Sequence, residues 1–139
     1  MRPTLNQTMM GVAMVLARRA TCKKLAVGCV VVDLDGRILG TGYNGVPRGL
    51  THCTDAPCPG VGAPAGSDTC EAVHAEQNAM FGVEHNKVYK CYVTHAPCMR
   101  CTKLLLNTTC MELVFPPSPF QGVDLWTRAR RYVTVLEMP

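Results

Sequence analysis

Nine cysteines in 139 residues is the feature that most limits what this chain can fold into. Disulfide frameworks of that density belong to small exported domains, and they use cysteines in pairs. Here the count is odd, and the opening Met1-Arg2-Pro3-Thr4 lacks the apolar block and cleavage site of a signal peptide. In a reducing compartment, clustered Cys and His more often hold metal, so ligand spacing is what has to be read. Two short segments have it: His74-Ala75-Glu76 and Pro97-Cys98-Met99-Arg100-Cys101. The fold has to bring them together.

Composition allows such a fold. A chain that is 47% hydrophobic and 17% charged, with mean hydropathy +0.08, can build a core and is too apolar for disorder. Its length suits one domain spanning 1–139. The uncharged runs at 5–17 and 25–32 are too short or too interrupted to cross a membrane, so a soluble, cytoplasmic protein is expected. The net charge of +4 is scattered, with one dense cluster at Arg128, Arg130 and Arg131 and a looser one at Arg18, Arg19, Lys23 and Lys24. That fits an anionic small molecule about as well as nucleic acid.

Apolar residues at Leu5, Met9, Val12, Val15 and Leu16 predict a helix over 4–19. A buried strand follows at 26–32, a turn at Asp33-Leu34-Asp35-Gly36, and a returning strand at 37–42. Residues 44–69 form a long loop rich in Gly and Pro, a length that calls for a function or a metal clip. Beyond it come a helix at 71–81, a strand at 88–94, and a helix at 98–107 opened by Pro97. A strand at 112–115, a helix at 121–131 and a strand at 132–136 complete the chain. The order α-β-β-α-β-α-β-α-β predicts a three-layer α/β/α sandwich around a five-stranded mixed sheet, its last three strands parallel.

Cys98 and Cys101, three apart, share one face of the first turn of their helix, where the helix dipole favours thiolates. His74 lies in the first turn of another helix. Three protein ligands leave a fourth tetrahedral position for water, the mark of a catalytic zinc, which lowers that water's pKa to roughly 7. Glu76 is placed to take the water's proton and hand it on. The reaction expected is attack of the hydroxide at C4 of a cytosine with loss of ammonia. A thioredoxin-type redox pair and a purely structural zinc site are the bland alternatives, and the second leaves Glu76 unexplained.

From Cys22 to about Val135 the sequence resembles the zinc-dependent cytidine and deoxycytidylate deaminases, which carry H-x-E with P-C-x-x-C. The stretches Thr41-Gly42-Tyr43-Asn44-Gly45-Val46-Pro47-Arg48-Gly49, His74-Ala75-Glu76-Gln77-Asn78-Ala79 and Tyr92-Val93-Thr94-His95-Ala96-Pro97-Cys98 are most similar to the dCMP deaminase branch. The resemblance implies a cytidine-deaminase-like fold, zinc on His74, Cys98 and Cys101, and Glu76 as proton shuttle. It further implies Asn44 on the nucleotide sugar and base, and the Ala75 N–H on the pyrimidine O2. Phe120 stands where the branch often has Tyr, and would stack on the base without the phenol hydroxyl. Conversion of dCMP to dUMP for thymidine nucleotide synthesis is implied too. So is a homohexamer switched on by dCTP with Mg2+ and off by dTTP.

Cys22, Cys53, Cys58 and Cys70 fall on or beside the long loop. A second, closed structural zinc on these four would pin it, with His52 as substitute ligand if one cysteine is not used. Related deaminases carry such an extra zinc, and buried free thiols are the alternative. Cys29, Cys91 and Cys110 read as core, His85 as a solvated turn residue, and His95 as either packing or pocket wall. The functional rivals are a deaminase acting on free cytidine, dCTP or a polynucleotide, and a zinc-stabilised nucleic-acid-binding module without turnover. No membrane partner is expected, and nucleic acid is disfavoured.

Overall fold

The computed structural model describes all residues except 23, 58, 65–69 and 139. Helix α1 (Leu5–Ala17) starts at Thr4, whose Oγ1 accepts the Gln7 N–H at 3.1 Å while Gln7 Oε1 accepts the Thr4 N–H at 2.9 Å. This reciprocal cap satisfies two donors that a helix start otherwise leaves orphaned. Strands β1 (Gly28–Val32) and β2 (Ile38–Tyr43) follow, then α2 (Ala75–Met80), β3 (Lys90–Val93), α3 (Met99–Leu106), β4 (Glu112–Phe115), α4 (Val123–Arg128) and β5 (Tyr132–Val135).

The sheet order is β2-β1-β3-β4-β5. β1 pairs antiparallel with β2 and β3, while β3, β4 and β5 run parallel, as expected. β1 is buried along its whole length, and its side chains alternate between two cores. Val30 and Val32 face α1 with Met10, Ala13, Tyr92 and Val114. Cys29 and Val31 face the opposite layer with Ala75 and Ala79 of α2, Leu105 of α3 and Trp126 of α4. The two crossovers β3-α3-β4 and β4-α4-β5 step in the same direction, so right-handedness puts α3 and α4 on one face. The three-layer sandwich follows from that.

Two glycines of β2 settle where α2 lies. A Cβ on Gly40 would come within 2.1 Å of the Ala79 carbonyl oxygen, and one on Gly42 within 2.4 Å of the Ala75 carbonyl oxygen. Bare backbone on this face lets α2 rest directly on the strand. Asn78 Nδ2 then donates to the Tyr43 carbonyl at 2.8 Å, fixing how far α2 slides along β2.

Several elements are shorter than the sequence pattern predicts. The helix expected from residue 71 begins at Ala75, because Val73 forms a bridge with Gly45 through bonds of 3.1 and 2.7 Å. The helix expected over 98–107 begins at Met99, and Cys98 is its cap rather than part of its first turn. The helix expected to reach residue 131 ends at Arg128, and Arg130 takes a left-handed φ of 61°. Arg131 therefore lies beyond the helix expected to include it. Its guanidinium turns inward over the Trp126 ring and donates to the carbonyls of Leu105, Leu106 and Cys110, closing the C-terminal end of α3. Among the described residues no helix is long and apolar enough to cross a membrane.

Candidate active site

The site forms where two helix starts converge beyond the C-terminal end of β3, the usual place for ligands in open α/β sheets. His74 caps α2 in an extended conformation (φ −74°, ψ 154°), and Gln77 Oε1 holds its backbone N–H at 2.9 Å. Cys98 caps α3, and its carbonyl accepts the Thr102 N–H at 2.9 Å and the Thr102 hydroxyl at 2.8 Å. Ahead of it, the Ala96 N–H donates to Ser118 Oγ at 3.0 Å, tying the Pro97 turn to the segment after β4. Cys101, fully buried, lies on the first turn of α3.

His74 Nδ1 is 3.3 Å from Cys101 Sγ and 3.5 Å from Cys98 Sγ. The ligand atoms of all three lie within 4.8 Å of one another, and among the described residues they are the one such group of three or more. Zn–S bonds of ~2.3 Å and Zn–N bonds of ~2.0–2.1 Å at tetrahedral angles separate N from S by about 3.5 Å. The observed spacings match that edge, and two soft sulfurs with one imidazole are a donor set suited to zinc. The residues present fit the ion. The Cys98 thiol is pulled down to about 3 by hydrogen bonding from the Cys101 thiol, aided by His74, against its partial burial. Cys101 is driven well above the ordinary thiol value by the same shared proton, its burial and Glu76. His74 is raised, first by its hydrogen bond with Cys98.

Glu76 is 4% exposed. Burial pushes its carboxyl up to about 7, against the lowering effect of backbone N–H donation and of His74, and its side chain is within hydrogen-bonding reach of Cys101. A cavity of about 340 Å³ opens over this floor, its walls including Asn44, Ala75, His95 and Pro97. That is the lower end of the size range of small-molecule sites.

Other expected site residues sort differently. Asn44 is buried, with Oδ1 accepting the Val27 N–H at 2.8 Å and Nδ2 donating to the Leu25 carbonyl at 2.6 Å, so it clamps the lead-in to β1 while lining the cavity. Phe120 does not line the cavity. Its ring meets Phe115 edge-on at 5.4 Å and packs on the core, whereas its neighbours Pro119 and Gln121 form the wall. Cys29, Cys91 and Cys110 are core, as expected. Cys22 and Cys70 line the cavity, Cys53 is buried, and the Thr54 N–H donates to the Thr21 carbonyl at 3.1 Å, which brings the loop to the end of α1. Cys58 lies outside the described residues.

Sequence reasoning missed Lys24 and Gln121 on the wall, and Gln77, Thr102 and Ser118 as the groups holding the ligand backbones. Gln77, three residues after the cap, was a readable capping signal.

The sandwich with this Cys/His group at two helix starts defines a member of the cytidine and deoxycytidylate deaminase class. The family profile described as the cytidine and deoxycytidylate deaminase zinc-binding region matches residues 3–116, and the chain belongs to that family. Within it, the chain is similar to the deoxycytidylate deaminase of Mycobacterium phage D29, at 36% identity over 83% of this chain and 96% of that protein. It is 36% identical to the deoxycytidylate deaminase of Saccharomyces cerevisiae over 85% of this chain. The chain spans 39% of the length of that Saccharomyces cerevisiae protein and 38% of the length of the deoxycytidylate deaminase of Schizosaccharomyces pombe, to which it is 34% identical. A crystal structure of dCMP deaminase from the cyanophage S-TIM5, in complex with dCMP and dUMP, superposes with a TM-score of 0.78 at 26% identity, covering 98% of this chain and 99% of that one.

Proposed function

We propose that this chain deaminates dCMP by hydrolysis, giving dUMP and ammonia. The observation that carries the reading is the placement of Glu76. It is a buried carboxyl held near 7, on the floor of the cavity whose wall also carries His74 and Cys98, with Cys101 buried beside those two ligands. When bound to those three, zinc supplies a water acidic enough to give hydroxide near neutral pH. Glu76 takes that water's proton and delivers it to the ring N3. With the hydroxyl added at C4, Glu76 would carry that hydroxyl's proton to the departing amine, so the C4–N4 bond breaks, ammonia leaves and C4 becomes a carbonyl. A carboxyl poised near 7 can both accept and release a proton at physiological pH. The Ala75 N–H, at the start of α2, donates to the pyrimidine O2, and Asn44 borders the sugar.

The same reading carries several finer proposals. A second, structural zinc on Cys22, Cys53, Cys58 and Cys70 rests on the family likeness, since among the described residues Cys22, Cys53 and Cys70 do not bring three ligand atoms together as His74, Cys98 and Cys101 do. Activation by dCTP with Mg2+, inhibition by dTTP and a homohexamer rest on the family likeness alone, while a cytoplasmic location and action as one domain over 1–139 rest on the chain length and on uncharged runs too short to cross a membrane.

The test is turnover of dCMP, deoxycytidine and dCTP side by side by the zinc-loaded protein. Preferred release of ammonia from dCMP is expected. Absence of turnover on all three, with salt-sensitive DNA binding instead, would sink the enzymatic reading.

A further inference from the structure

We propose that Lys24 is the residue by which this chain selects a 5′-phosphorylated substrate over the bare nucleoside. The inference rests on the deamination reading and names the chemistry that site recognises at its outer end. Among the described residues lining the cavity, Lys24 is the one Lys or Arg side chain. Glu76 is almost wholly buried while Lys24 is exposed, so the carboxyl sits at the floor of the cavity and the cation at its rim. A pyrimidine whose C4 meets Glu76 must direct its 5′ substituent outward, toward the rim. A phosphate dianion there meets an ammonium. A nucleoside hydroxyl gains much less from the same contact.

Lys24 is also held where it can do this. Asn44 grips the backbone on its C-terminal side through the Leu25 carbonyl and the Val27 N–H. The Lys24 ammonium itself donates to the Ala63 carbonyl of the long loop. An ammonium has three donors, and that bond uses one, leaving two for phosphate oxygens. The rim cation is therefore anchored before substrate arrives, which limits the entropy lost on binding.

The experiment compares kcat/KM for dCMP with kcat/KM for deoxycytidine in the zinc-loaded wild type, Lys24→Gln and Lys24→Arg. Gln retains a donor for Ala63 but no charge, so it separates phosphate recognition from support of the loop. The dCMP preference should fall about ten- to hundredfold in Lys24→Gln and be largely restored in Lys24→Arg. The ratio of dUMP to deoxyuridine affinity, measured by calorimetry on the same proteins, should fall in parallel. A preference within about threefold of wild type in Lys24→Gln, in both ratios, would overturn the assignment. Failure of the deamination reading looks different, because the wild type then turns over neither substrate. The assignment is then decided by the affinity ratio alone.

Discussion

Two pairs of cysteines lie close together in this molecule and have opposite chemistry. Cys29 and Cys91, on neighbouring strands, have sulfurs 3.4 Å apart and are fully buried. Contact with Cys29 and burial hold Cys91 well above the ordinary thiol range, and burial does the same for nearby Cys110. Cys98 and Cys101 stand at the start of a helix beside His74, Cys98 open to a cavity and Cys101 buried, and there the Cys98 thiol falls to about 3. The residue type is the same. Backbone donors, an imidazole and access make the difference.

Removing a sulfur from either pair tests that contrast. Cys101→Ala should abolish binding of the catalytic zinc and reduce deamination by more than about 10⁴-fold, since the ion supplies the nucleophile. Metal analysis together with ammonia release checks it, and a zinc-loaded active variant would break the comparison. Glu76→Gln should keep the zinc and lose at least ~100-fold in kcat, because a carboxamide carries no proton. Activity within tenfold of wild type would remove Glu76 as shuttle.

The metal-free protein should show the burial of Glu76 as a pH effect. Its carboxyl titrates near 4.5 when unfolded and about 7 when folded, so the neutral form is the one the fold favours. The stabilisation is fully present below pH 4.5 and is lost as pH rises through 7. That amounts to ~3 kcal/mol, from 1.36 kcal/mol per pKa unit. Urea unfolding at a series of pH values, wild type against Glu76→Gln, isolates this contribution, and parallel curves would contradict it.

Asn44→Ala should cost about 2–3 kcal/mol of stability by orphaning two backbone groups, and should weaken nucleotide turnover while zinc content stays the same. Thermal melts and metal analysis decide this. Equal stability would mean that water replaces the clamp. The smallest effect is expected from Cys29→Ala, about 1 kcal/mol, from a lost sulfur contact in a core that relaxes little. Zinc content and turnover should match wild type, and a loss of zinc there would erase the distinction between the two pairs.

Much of this was legible in the residues. Hydrophobic periodicity and turn signals specify the element order, and right-handed crossovers turn that order into the parallel β3-β4-β5 half of the sheet. The candidate constellation was legible because its residues are local: His74 with Glu76, and Cys98 with Cys101, each lie within one helix start. Element ends were harder to read. Val73 left the predicted helix for a bridge to Gly45, and Arg131 left the predicted helix at 121–131 for the carbonyls of Leu105 and Leu106 that end α3. Each of those choices is made by a partner distant in sequence.

The sequence by itself determined which atoms can bind metal and move protons, since donor type and spacing along a helix are properties of the chain. Only the tertiary structure decided how those atoms behave. It set Gly40 and Gly42 under α2, so that His74 reaches the sulfurs of α3, and buried Glu76 until its proton affinity rose to about 7. It also turned Phe120 into the core and left Lys24 at the rim. Burial and proximity belong to the packed state, and no window of sequence contains them.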